Sequence, residues 1–128
     1  MESCRRINLD LTDQLIIKLN CIMIIDKNGF IHHVYFWLKN PESTDDYNDL
    51  IEGLNKLSAA AIIKDFHIGK PATTNREVID SSYAVSWLLL FNNKEDQDSY
   101  QTDPKHLKFI DDCAHLWNKV VVYDTVAP

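Results

Sequence analysis

Hydrophobic and polar positions follow a regular pattern from residue 31 to the end of the 128-residue chain. Segments rich in β-branched and aromatic residues predict strands, whereas apolar residues repeated every three or four positions predict helices. The predicted strands are Ile31–Leu38, Ile62–Ile68, Tyr83–Phe91 and Lys119–Val126.

Two helical regions separate these strands. The first begins at Ser43 or the threonine after it, where a hydroxyl caps the helix, and ends near Ser58. The second holds a short helix over 94–101 and restarts at Asp103-Pro104, which supplies a capping carboxylate and a proline in the first turn. The order is β-α-β-β-α-β, which predicts an α+β, ferredoxin-like fold with a four-stranded antiparallel sheet.

Both faces of the predicted sheet are mostly apolar. In the first strand His33, Tyr35 and Trp37 face one way, and the residues that alternate with them face the other. Two helices cover only one face, and an antiparallel sheet with a solvated face normally carries polar residues there. We therefore expect a homodimer in which the sheet faces of two copies pack together.

The N-terminal part of the chain lacks this clear pattern. Residues 1–30 are interpreted as an extension, followed by a single domain over 31–128. One hypothesis is that translation starts at Met23, so that the native protein lacks residues 1–22. The alternative is a short extension that packs on the domain edge. An intact mass that includes residues 1–22 would exclude the first hypothesis.

Charge and hydropathy narrow the classes of partner. The net charge is −6 and 25% of the residues are charged, so a basic nucleic-acid-binding surface is not expected. No apolar run approaches the roughly 18–20 residues that a membrane-spanning helix needs. Charged residues interrupt the N-terminal apolar segment, which argues against a signal peptide. We expect neither nucleic-acid nor membrane partners.

The cysteines and histidines do not form a metal-binding pattern. Cys4, Cys21 and Cys113 are an odd number of thiols without metal-ligand spacing, which is typical of reduced cysteines in a cytoplasmic protein. Asp111 and His115 come closest to a chelating pair, but they are more simply interpreted as surface neighbours. We expect no metal and no other cofactor.

Tyr100 and His106 are the strongest candidates for chemistry. They flank the Asp103-Pro104 break, which places His106 in the first turn of a helix, where the dipole disfavours the imidazolium. A neutral imidazole there could act as a general base, and a nearby phenol could orient a substrate carbonyl. The alternative is a structural corner with a buried tyrosine and a solvated histidine.

Two strand histidines are further candidates. His33 belongs to the row of Tyr35 and Trp37, so it is either a core histidine or part of a pocket wall. His67 shares a face with Asp65, which could orient its imidazole or simply form a hydrogen bond at the rim.

The residues resemble the stress-responsive α/β-barrel (Dabb) family over 31–126. The resemblance rests on HHVYFWLKNP, FHIGKP, SSYAVSWLLLF, DSYQTDPKHLKFIDDC and KVVVYD, which span every predicted element. It implies a ferredoxin-like protomer and a homodimeric α+β barrel. Most members of the family are small proteins without an assigned activity, so the resemblance leaves the biochemical activity of this protein unassigned.

One branch of the family, the plant polyketide cyclases, uses a tyrosine and a histidine that correspond to Tyr100 and His106. Its first-strand pocket histidine corresponds to His33. A second pocket histidine corresponds to Val85, where this sequence lacks the polar group. The resemblance thus implies a pocket between sheet and helices for a small, partly apolar ligand.

Three functional hypotheses follow. The first is a stress-associated homodimer that binds such a ligand without catalysis. The second is a proton-transfer enzyme, cyclase- or lyase-like, with His106 as base and Tyr100 as orienting donor. The third, a purely structural subunit, predicts no pocket. The expected pocket residues are His33, Tyr35, His67, Tyr83, Val85 and Trp87.

Overall fold

A computed structural model of the protein describes Leu11 and residues 26–128. The predicted N-terminal extension, with its alternative start at Met23, therefore lies almost entirely outside the described residues. The elements within 26–128 are β1 (Phe30–Leu38), α1 (Thr44–Leu57), β2 (Asp65–Gly69), β3 (Val85–Phe91), α2 (Lys94–Gln101), α3 (Pro104–Cys113), a 3-10 turn (Ala114–Leu116) and β4 (Trp117–Thr125).

Side-chain caps fix where the three helices begin. Ser43 accepts the backbone N–H of Asp46 before α1. Asn93 caps α2 in the same way, and Asp103 caps α3 by accepting the N–H of Lys105. These caps satisfy N–H groups that have no partner inside the helix.

The four strands form one antiparallel sheet in the order β2-β3-β1-β4. The central strands β1 and β3 pair from Phe30 opposite Phe91 to Phe36 opposite Val85. The predicted ferredoxin-like α+β fold with its four-stranded antiparallel sheet is confirmed. The strands β2 and β4 form the two edges.

Some strand boundaries differ from the predicted ones. The strand β2 begins at Asp65 rather than Ile62, because a turn in which Ile63 N–H donates to Ala60 C=O precedes it. Ile63 is buried there and packs in the core instead of continuing the strand. The strand β3 begins two residues later than predicted, at Val85, and β4 two residues earlier, at Trp117.

The main core lies between the sheet and the helices α1 and α3. Leu50 and Leu54 of α1 are fully buried against the same sheet face as Val85 and Leu89. The two helices approach closely at Gly53, where an added Cβ would lie 2.7 Å from the Sγ of Cys113. Only glycine permits this distance between the helices.

The two sheet faces have different surroundings. The helix face carries His32, Val34 and Phe36 of β1, all buried. The open face carries His33, Tyr35 and Trp37, each half-buried. None of the helices in the described part of the chain is long and apolar enough to cross a membrane.

Candidate functional site

A cavity of about 170 Å³ lies on the helix face, between the sheet and α3. Apolar side chains form most of its wall, and His32, Tyr100, Gln101 and His106 supply the polar groups. The apolar wall consists of Val34, Phe36, Trp87, Phe109, Ile110, Trp117, Val120 and Val122. A mostly apolar concavity with a few convergent polar groups is typical of a small-molecule site.

Tyr100 lies near the end of α2 and is fully buried. Its ring packs against Phe91, with 5.2 Å between centroids, and against His106, with 4.6 Å. Its hydroxyl has no hydrogen-bond partner within residues 26–128. Burial, with a smaller effect from the Asp103 carboxylate, raises the pKa of this phenol, so it stays protonated and able to donate.

His106 occupies the first turn of α3. Its Nδ1 lies 3.1 Å from the backbone carbonyl oxygen of Gln101. A carbonyl oxygen only accepts, so Nδ1 carries the proton and Nε2 keeps a free lone pair. Burial lowers the pKa of His106, partly offset by the Gln101 hydrogen bond. The imidazole is therefore neutral near pH 7, as a general base requires.

His32 is the polar residue that β1 contributes to the cavity. Its Nδ1 lies 2.5 Å from Oδ1 of Asp124, the residue opposite it on β4. The carboxylate accepts this hydrogen bond from Nδ1, so the second ring nitrogen, Nε2, takes no part in the contact with Asp124. The imidazole also lies edge-on to Tyr100, with 6.2 Å between ring centroids.

The sequence-based choice of site residues did not include His32 or Asp124. The alternation along β1 already separated His32 from His33 and grouped it with the apolar Val34 and Phe36. The alternation does not show which side of the sheet the helices cover, because both rows of alternating residues in β1 are largely apolar. The pairing with Asp124 joins residues 92 positions apart, which local patterns do not show.

The six expected pocket residues are divided between the two faces. Trp87 lines the helix-face cavity, and Val85 is buried in the core on the same side. His33, Tyr35 and His67 lie on the open face, and Tyr83 packs there against Tyr35. The structure therefore places Tyr100, His106 and Trp87 together, but it does not place His33 with them, because adjacent strand residues point to opposite faces.

The open face carries an aromatic cluster of its own. The rings of Tyr35 and Tyr83 lie 5.0 Å apart, and His33 stacks on Tyr35 at 4.4 Å. Burial lowers the pKa of His33, and the charge of nearby His67 adds to this effect. A shallow cavity of about 350 Å³ next to the cluster is lined by Tyr35, Trp37, Asp80, Tyr83, Lys119, Val121 and Tyr123.

The described residues contain no cluster of three or more metal-ligating side chains. Cys113 is a buried free thiol whose pKa is raised, mainly by desolvation. Cys4 and Cys21 lie outside the described residues. The polar groups at the cavity are the imidazoles of His32 and His106, the phenol of Tyr100 and the side chain of Gln101, and the Asp124 carboxylate contacts His32.

Residues 31–127 match the Stress responsive A/B Barrel Domain family, also called Dabb. Because the match covers most of the chain, the protein belongs to this family, as the resemblance predicted. No curated protein matches the sequence.

Solved structures show the same fold. A Dabb family protein of Mesorhizobium loti is 23% identical, with a TM-score of 0.63 over 77% of this chain and 95% of that one. A dimeric ferredoxin-like protein of unknown function from Thermobifida fusca is 18% identical, with a TM-score of 0.62 over 77% and 90% of the two chains. The hydroxynitrile lyase of Passiflora edulis is 18% identical, with a TM-score of 0.67 over 79% and 94%.

Proposed function

We propose that this protein binds a small, partly apolar molecule with a hydrogen-bond acceptor in the helix-face cavity. The buried Tyr100 hydroxyl, which has no partner within residues 26–128, carries this proposal. An unsatisfied buried polar group costs about 1–3 kcal/mol. A ligand carbonyl or hydroxyl oxygen that accepts from Tyr100 would remove this cost.

The cavity volume limits the size of the ligand. A cavity of roughly 150 Å³ lined by aliphatic and aromatic side chains holds a benzene molecule. The cavity here measures about 170 Å³, so a single ring or a short branched chain with one or two polar atoms fits. Trp87 and Phe109 supply flat apolar walls for such a ligand.

Proton transfer is the second candidate function, and the neutral His106 favours it. In this mechanism Nε2 of His106 removes a proton from a carbon next to the ligand carbonyl. Tyr100 donates to the carbonyl oxygen, where negative charge develops. The electron pair of the broken bond moves towards that oxygen, and His106 returns the proton when the product forms. A hydroxynitrile lyase shares the fold, which makes a lyase-like activity a reasonable candidate.

We also propose a homodimer through the open face, which would complete the α+β barrel. Half-buried Tyr35, Trp37 and Leu88 form an apolar surface there that the helices leave uncovered. The Thermobifida fusca protein of the same fold is dimeric. We further propose a cytoplasmic location, which the free Cys113 thiol supports. The chain would then consist of an extension over residues 1–30 and one domain over residues 31–128.

Native mass spectrometry of protein purified gently from its own host tests both parts. We expect a dimer that carries an additional small-molecule mass, and we expect the Tyr100→Phe variant to carry less of it. The Tyr47→Phe variant, changed at a half-buried tyrosine of α1 that lines neither the helix-face cavity nor the open-face cavity, is the matched control. A monomer would contradict the dimer. An unliganded dimer that also fails to bind added small carbonyl compounds would contradict the ligand site.

Turnover separates the two candidate functions. In a binding protein, Tyr100→Phe removes one hydrogen bond, about 0.5–1.5 kcal/mol of affinity. In a proton-transfer enzyme the same substitution abolishes turnover while affinity changes little.

A further inference from the structure

Two histidines lie in one row of side chains across the open face. His33 of β1 is opposite Leu88 of β3, and Leu88 is in turn opposite His67 of β2. On the other side of His33, β4 places Tyr123 opposite it. Residues that pair across neighbouring strands point to the same side of the sheet. The row therefore crosses all four strands and has an imidazole on each side of Leu88.

This row lies in the surface through which we propose that the homodimer forms, so the inference below rests on that proposal. Leu88 and His33 are half-buried in the single chain, and His67 is exposed. A two-fold interface uses the same patch of both copies. Packing the two open faces together would thus enclose the imidazoles of His33 and His67 from each copy.

Neither imidazole has a carboxylate at hand to stabilise a positive charge. Among the residues from 26 onwards, the histidine that forms an ion pair is His32 on the opposite face of the sheet. The nearest acidic residue on the same strand face is Asp65, and its Oδ1 accepts the backbone N–H of Phe66. Farther along the open face, the cavity beside Trp37 holds the opposite charges of Asp80 and Lys119.

The surroundings of His33 favour its neutral form even in the single chain. Burial lowers the pKa of His33, and positive charge on His67 or His32 lowers it further. The phenol oxygen of Tyr35 lies 3.2 Å from Nδ1 of His33 and can donate to this nitrogen only while the imidazole is neutral. A second copy packed on this face would remove more water from both imidazoles and so favour their neutral form more strongly.

We propose that protonation of His33 and His67 dissociates the homodimer, which makes the open face a pH-sensitive interface. Dissociation returns the imidazoles to water, where they take up protons near pH 6.5. Acidification therefore shifts the equilibrium towards the monomer, because the monomer binds more protons than the dimer.

The net charge of the chain has the opposite effect on association. The chain carries −6 with its histidines neutral, and protonation of histidines reduces this charge and the repulsion between two copies. Weaker association at lower pH therefore reports the imidazoles in the interface and not the overall charge.

Sedimentation equilibrium of the full chain at pH 7.5 and pH 5.8 tests the proposal. We expect the dissociation constant to rise by about tenfold or more on acidification, because protons bind when the dimer dissociates. His33→Asn with His67→Asn, which keeps both side chains neutral, should reduce this rise to less than about threefold. The matched control is His115→Asn, at an exposed histidine of the 3-10 turn, which should keep the full rise.

The dimer and its pH dependence fail in different ways. A monomer at pH 7.5 would contradict both. A dimer whose dissociation constant is the same at both pH values, or rises equally in the double variant, would overturn the pH-sensitive interface and leave the dimer in place. Far-UV circular dichroism at both pH values distinguishes dissociation from unfolding. If the double variant does not fold, His67→Asn alone should still reduce the rise, because its exposed side chain contributes no core packing.

Discussion

Both faces of the sheet carry histidine and tyrosine side chains, but the surroundings of these side chains differ. On the helix face, buried His32 pairs with Asp124 and lies edge-on to buried Tyr100 in a mostly apolar setting. On the open face, the adjacent His33 stacks on Tyr35 in a half-buried aromatic cluster. One step along β1 therefore separates a candidate chemical site from a candidate interface.

This difference shows that residue type alone does not define a site. Both faces hold histidine and tyrosine, but only the helix face combines full burial with an unpartnered hydroxyl. The open-face tyrosine Tyr35 has a hydrogen-bond partner in His33 at 3.2 Å. A buried group without a partner points to a ligand, whereas a half-buried apolar face points to another protein surface.

The largest expected contrast is between the neighbours Leu88 and Leu89 of β3. Leu89 is fully buried on the helix face, so Leu89→Ala should lower the free energy of unfolding by about 2–5 kcal/mol. Leu88 is half-buried on the open face, so Leu88→Ala should mainly weaken dimer association. Chemical denaturation and sedimentation equilibrium measure the two effects. Similar losses of folding stability, with unchanged association, would contradict the distinction between the faces.

Two tyrosines give the next contrast. Tyr100→Phe removes an unpartnered hydroxyl, so the stability of the free protein should stay the same or rise. Tyr35→Phe removes the hydrogen bond to His33 and should lower stability by about 0.5–1.5 kcal/mol. Thermal unfolding of the two variants beside the wild type measures this. A clear loss of stability in Tyr100→Phe would mean that its hydroxyl already has a partner.

Asp124→Asn should have a smaller effect. The carboxylate is 43% exposed, so replacing it with a neutral amide in the hydrogen bond to His32 should lower stability by about 0.2–1 kcal/mol. Nitrogen NMR should show a changed distribution of the His32 proton between its two ring nitrogens. Lys119, next to Trp37 on the open face, provides the control: Lys119→Gln should leave the His32 spectrum unchanged.

The pH dependence of stability should be the weakest signal, because both titrating imidazoles keep some contact with solvent. Burial lowers the pKa of His106 and of His33 below the usual 6.5. Below pH 6.5 the unfolded chain then binds more protons than the folded chain, so stability should fall as the pH drops through that value. Denaturation at several pH values should show this fall, and His106→Asn should reduce it. An unchanged slope in that variant would contradict the lowered pKa of His106.

Local patterns in the sequence predicted the order of elements and two parts of the site. The Asp103-Pro104 break placed Tyr100 and His106 next to each other, and their rings lie 4.6 Å apart. The alternation in β1 separated His32 from His33. These features depend on capping and on side-chain periodicity, which act over a few residues.

Other features of the site could be identified only from the tertiary structure. Asp124 meets His32 through the register of β1 and β4, which no local pattern specifies. The expected pocket combined residues of both faces because each row of β1 and β3 is apolar enough to be a core. Only the positions of the helices decide which row becomes the wall of the cavity.

Histidine NMR during titration with acetophenone, a single ring that carries one carbonyl, tests most directly whether the ligand site lies on the helix face. The resonances of His32 and His106, assigned with His→Asn variants, should shift and saturate together. Those of His33 and His67 on the open face should stay in place, and Tyr100→Phe should weaken binding. Shifts confined to His33 and His67, or none at His32 and His106, would contradict a ligand site in the helix-face cavity.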